Sequence, residues 1–270
     1  MRGFGDIGER LRRSTVQVFN GAARSQGSGI VWNAGGLILT AAHVARSPAF
    51  EVEFWDGRRL HARVASRDPR RDLATLRVLA EGRDEPAFEA ATPGDSTALR
   101  PGELVIAVGN PLGFAGALST GVVHSLGALP GMGRQSWICA DVQLAPGNSG
   151  GPLADAEGRV IGVNTAILNG LGVAVPVHAA LEFLRRGSPP SLGVVLRPVP
   201  PGLLLVEVER EGAARNAGLR PGDILLTRYD WLTAALDSGS RTLRLQFLRG
   251  DPTRVRETVV RLEAPLEAAA

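Results

Sequence analysis

The stretch Ala145-Pro146-Gly147-Asn148-Ser149-Gly150-Gly151-Pro152-Leu153 constrains this chain more than any other. It sets one serine among glycines, directly before an apolar segment. Small residues let a tight turn present backbone N–H groups, and they let a substrate backbone come close. That is what a serine nucleophile requires. Ser149 is the expected attacking hydroxyl. The turn Gly147, Asn148, Ser149 is the expected oxyanion hole, with the N–H groups of Gly147 and Ser149 as its natural donors.

A hydroxyl is a poor nucleophile at its free pKa, so a base and a group to orient that base must accompany it. Both stand upstream. His43 closes Leu39-Thr40-Ala41-Ala42-His43 after the apolar run Gly36-Leu37-Ile38-Leu39. Asp72 opens Asp72-Leu73-Ala74-Thr75-Leu76. The order His, Asp, Ser is one of the known orders of the triad. Any one of these motifs could be an ordinary turn or strand end, and it is the ordered set of three that points to catalysis. The 34 Gly and 18 Pro call for many turns, as an all-β chain requires.

On these residues, together with Gly27-Ser28-Gly29-Ile30-Val31, Gly109-Asn110-Pro111-Leu112-Gly113 and Ile161-Gly162-Val163-Asn164-Thr165-Ala166, the chain resembles a trypsin-like serine protease of the HtrA (Deg) type. The resemblance implies a mainly β fold: two six-stranded antiparallel barrels, followed by a small α+β PDZ-like domain. The expected domains are an N-terminal segment 1–13, the protease 14–186, a linker 187–190 and the PDZ-like domain 191–264. His43 and Asp72 come from the first barrel and Ser149 from the second. The implied activity is ATP-independent cleavage of unfolded or misfolded protein in quality control and stress response. The alternative is a latent or inactive protease acting as a peptide-binding, chaperone-like module.

Along the chain, Asp6 to Arg13 fits a short amphipathic helix. In such proteases this segment helps hold a homotrimer, which makes Phe4, Ile7 and Leu11 interface residues; covering the barrel is the equal alternative. Only residues 20–26 separate the first two apolar stretches, too few for a long regulatory loop, and 128–135 stands where the family has its sensor loop. Leu144, Ile167 and Leu168 match the specificity pocket; their apolar character disfavours cleavage after Arg or Lys and implies small or medium aliphatic residues. Residues 177–186 read as a helix. Ala217-Gly218-Leu219 and Pro221-Gly222-Asp223 are similar to a PDZ domain, with Leu192, Gly193 and Val194 at the loop that would take peptide C-termini; 229–241 is short for its second helix.

The isoelectric point near 10.2 suggests nucleic acid, but 30 basic and 27 acidic residues leave only +3. All the bases are Arg, which holds its proton, so a small excess raises the isoelectric point, and no nucleic acid is expected. No run is long enough for a membrane span, and no ligand cluster implies a metal or cofactor. The single Cys139 reads as a buried apolar residue, and His61, His124 and His178 as structural or surface residues. Residues 1–13 lack an apolar signal core, so the expected compartment is the cytoplasm, with the cell envelope as the alternative should a targeting segment precede this chain.

Overall fold

A computed structural model of the chain describes residues 3–20, 25–47, 49–79, 87–130, 132, 135–187, 190–210, 212–238 and 240–262. These fall into two compact units, one ending at Gly187 and the other beginning after it. Parts of the expected first loop (21–24), of the sensor-loop segment (131, 133, 134) and of the linker (188, 189), with the tail from 263, lie outside the described residues.

The first unit opens with helix α1 (Phe4–Arg13). Strands β1 (Thr15–Phe19), β2 (Ser25–Val31), β3 (Leu37–Thr40), β4 (Ala49–Glu53), β5 (Arg59–Asp68) and β6 (Leu73–Val78) close a barrel in the order β1-β2-β3-β6-β5-β4. Its core holds Val16, Val18, Val31, Ile38, Val52 and Leu76. Strand β1 leaves no wet face, because all five of its residues are buried. Val16 and Val18 point into the barrel, while the Thr15 hydroxyl donates to the Leu11 carbonyl at 2.7 Å beneath α1.

Strands β7 (Leu104–Gly109), β8 (Ala117–Ala128), β9 (Ser136–Ala140), β10 (Pro152–Asp155), β11 (Val160–Leu168) and β12 (Leu171–Pro176) close the second barrel in the order β10-β11-β12-β9-β8-β7. The β11–β12 hairpin turns on Asn169 and Gly170, at φ +51° and +83°. Two positive φ values in a two-residue turn match the twist of the flanking strands, and Asn-Gly supplies them at low steric cost. Helix α2 (Val177–Arg186) follows, burying Val177, Ala180 and Phe183.

Helix α1 settles on the second barrel through Leu11, which packs with Ile106, Val108 and Ala154 and is joined by the half-buried Ile7. These two residues cover the barrel, whereas Phe4 stays 53% exposed.

The second unit contains β13 (Val194–Val199), β14 (Gly202–Val208), α3 (Ala213–Asn216), β15 (Ile224–Leu225), α4 (Tyr229–Asp237), β16 (Thr242–Arg249) and β17 (Asp251–Arg261). The strands form one sheet in that sequence order. Its core gathers Leu203, Leu205, Leu219, Leu225, Leu232 and Leu245. The Arg249 guanidinium grips the buried Asp223 with two bonds of 2.7 Å, which offsets the cost of burying that carboxylate. The short 229–241 segment still accommodates the nine-residue α4. The sheet and helices are consistent with a PDZ-like domain.

Candidate active site

Strand pairing brings His43 and Asp72 together across 29 positions of sequence. Strands β3 and β6 are antiparallel neighbours with Thr40 opposite Ala74, so the turn leaving β3 lies beside the turn entering β6. His43 is in the first turn and Asp72 in the second. Asp72 takes φ +55°, a left-handed conformation that few side chains other than Asn and Asp tolerate. Its Oδ1 accepts the His43 backbone N–H at 2.9 Å, and its Oδ2 lies 2.7 Å from His43 Nδ1. A carboxylate only accepts, so Nδ1 carries the proton and Nε2 presents its lone pair.

The nucleophile turn is tied to β11. Gly150 N–H donates to Asn164 O at 2.7 Å, and Asn164 N–H donates to Gly151 O at 2.9 Å. This puts Ser149 beside Thr165, whose carbonyl accepts the Ser149 hydroxyl at 3.1 Å. Among the described residues no hydrogen bond joins the Ser149 hydroxyl to His43. The Thr165 hydroxyl in turn donates to Asp72 Oδ2. Three donors thus converge on the Asp72 carboxylate, two from His43 and one from Thr165, which is how a partly buried charge is held. Thr165 touches Asp72 with its side chain and Ser149 with its backbone. Sequence reasoning missed this role; a hydroxyl within Asn164-Thr165-Ala166 was the only available signal.

Gly147 has φ +110°. A Cβ there would stand 2.5 Å from the Asn110 carbonyl, so only glycine fits. Asn148 is corrected as an oxyanion donor, because its N–H is spent within the turn on the Ala145 carbonyl at 3.0 Å. Among the described residues, the Gly147 and Ser149 N–H groups have no protein acceptor.

A cleft of ≈ 240 Å³ adjoins Ser149, and Leu144, Thr165, Ala166 and Ile167 are among its lining residues. Among the described residues, none that lines it is acidic. Leu168 is not part of the lining; it ends β11 at the hairpin turn, 36% exposed. In the second unit, Leu192 is buried in the core and Val194 begins the edge strand β13. Gly193, at φ +67°, donates its N–H to Ser191 Oγ at 3.0 Å and accepts the Glu209 N–H at 2.8 Å. His61 and His124 are exposed, His178 bonds Ser96 at 2.8 Å, and Cys139 is buried.

Residues 27–163 match the family described as trypsin-like peptidase domain. A protein of Pseudomonas fluorescens named probable periplasmic serine endoprotease DegP-like is 34% identical over 231 residues, covering 76% of this chain and 48% of that protein. A protein of Hahella chejuensis with the same name is 34% identical over 247 residues, covering 82% and 51%. The chain spans about half the length of the curated relatives it matches. Among solved structures, the HtrA-type protease AlgW with decapeptide is 25% identical with a TM-score of 0.63, covering 98% of this chain and 100% of that one. A variant of AlgW with tripeptide is 27% identical with a TM-score of 0.65, covering 98% of each. Relatives named periplasmic overturn the expectation of a cytoplasmic chain, which rested on the composition of residues 1–13 alone.

Proposed function

This chain belongs to the trypsin-like peptidase family, of the HtrA type, and on that premise we propose that it is a serine endopeptidase acting on unfolded protein in the cell envelope. The observation that carries the reading is the Asp72–His43 contact, which leaves Nε2 of His43 as the free base, while Thr165 links Asp72 to Ser149.

In the proposed reaction the Ser149 proton leaves the Thr165 carbonyl and passes to His43 Nε2 as Oγ attacks the scissile carbonyl. Asp72 holds the imidazolium that forms. The Gly147 and Ser149 N–H groups receive the oxyanion. His43 returns the proton to the leaving amine, and water then releases the acyl group by the same steps in reverse order. The apolar lining around Leu144 and Ile167 favours a small or medium aliphatic residue before the scissile bond.

Residues 14–186 would form the protease and 191–264 a PDZ-like domain that takes peptide C-termini along the open edge of β13. A homotrimer would form through α1 and the start of β8. Gly8 lies over Leu118 and Arg12 over Gly116, and Phe4, Phe114 and Leu118 are exposed.

The test is degradation of an unfolded model protein by the wild type and by Ser149→Ala over a range of temperatures. Cleavage by the wild type alone, after aliphatic residues, is the expected result. Equal cleavage by both, or by neither, would sink the proposal.

A further inference from the structure

Ser28 takes no part in the steps above, yet it is fully buried against the nucleophile turn. A serine hydroxyl has one proton to donate and two lone pairs to offer. Both lone pairs are engaged by Asn110, whose backbone N–H donates at 2.9 Å and whose Nδ2 donates at 3.1 Å. The proton therefore has a fixed direction, onto the Gly147 carbonyl at 2.7 Å. The Ser28 backbone N–H donates to the Ser149 carbonyl at 2.8 Å. One residue of the first barrel thus holds the two carbonyls that flank Asn148.

Peptide units are planar, so holding a carbonyl holds its whole plane. The clamped planes are 147–148 and 149–150. Between them lies the plane that carries the Ser149 N–H, and beside them the plane that carries the Gly147 N–H. The Ser149 donor plane is also held by its own Asn148 carbonyl, which accepts the Gly151 N–H at 3.0 Å, and the Gly147 donor plane joins a clamped plane at the Gly147 Cα. The clamp is itself anchored: Asn110 Nδ2 also donates to the Val16 carbonyl at 3.0 Å, and its Oδ1 accepts the Gly116 N–H at 2.9 Å.

We propose that Ser28, oriented by Asn110, is a positioning residue for the oxyanion hole. The proposal rests on the endopeptidase reading and adds to it a cause for the aim of the two N–H groups. Because Ser28→Ala leaves a small void, Ser28→Cys serves as a second variant that fills the space with a much weaker donor.

The measurements are kcat and KM on an unfolded substrate, the pH dependence of kcat/KM, and inhibition by a peptide boronate compared with the product peptide acid of the same sequence. The boronate forms a tetrahedral adduct that uses the oxyanion hole, whereas the product acid reports ground-state binding. For both variants kcat should fall about 10- to 100-fold with KM within about twofold. Boronate affinity should fall by the same factor, with product affinity and pH profile unchanged. Equal loss of boronate and product affinity, no loss of either, or failure of both variants to fold would each overturn the positioning role. If the wild type neither cleaves nor binds the boronate, the endopeptidase reading falls and this proposal with it. A wild type that cleaves beside unaffected variants overturns this proposal alone.

Discussion

Asp72 accepts bonds from both His43 donors and from Thr165, so its neutral isostere is the sharpest probe of the site. An amide at that position donates as well as accepts, and it would favour the wrong tautomer of His43. Asp72→Asn should keep the fold and lower kcat by about 10⁴-fold, as steady-state kinetics beside an unchanged circular dichroism spectrum would reveal. Thr165→Val keeps the carbonyl that faces Ser149 but removes the donor to Asp72. A hydrogen bond to a charged group is worth about 1.5–3 kcal/mol, so kcat should fall about 10- to 100-fold. His43, Asp72 and Ser149 could be proposed from the sequence because their three short motifs stand in the triad's order, although none of the motifs is distinctive alone. Thr165 could not, because its function is a contact made 93 residues away in sequence. Leu168 and Asn148 show the opposite error. Their types suited the pocket and the turn, but a hairpin carries one away and an internal bond consumes the N–H of the other.

At the scale of elements, α1 is an amphipathic helix that buries Leu11, with Ile7 half-buried beside it. Leu11 is 2% exposed among Ile106, Val108 and Ala154, so Leu11→Ala should cost about 2–5 kcal/mol in denaturant-induced unfolding. The same helix carries Glu9, whose carboxyl is lowered to about 2 by hydrogen bonds from Arg12 and Arg13. A depressed carboxylate contributes its stability above its ordinary pKa and loses it as pH falls through the folded value. The stability difference between wild type and Glu9→Gln, small because the pair is solvated, should therefore shrink below pH 4.5 and vanish near pH 2. Both strands beside Asn169-Gly170 carry apolar runs. Strand β9 was not anticipated: Trp137-Ile138-Cys139-Ala140 has no alternation, since it is buried on both faces between β12 and β8.

At the scale of the whole molecule, the exposed Phe4, Phe114 and Leu118 of the first unit argue for self-association. Replacing Phe114, 69% exposed, by Glu should shift the mass measured by size-exclusion with light scattering toward the monomer and leave thermal unfolding of the first unit nearly unchanged. An unchanged mass would remove this surface from the proposed trimer.

What the sequence determined by itself was local: which segments are apolar enough to pair, where glycine and proline force turns, and which three side chains are the candidates for reactive chemistry. Those properties reside in single residues and short spacings, so they survive in a string of letters. The barrel order, the pairing of β3 with β6 that joins His43 to Asp72, and the contacts of Thr165 and Ser28 with the catalytic turn were decided only in three dimensions. Each is a hydrogen bond between positions far apart in the chain, and its direction depends on strand register and on which donors are already engaged.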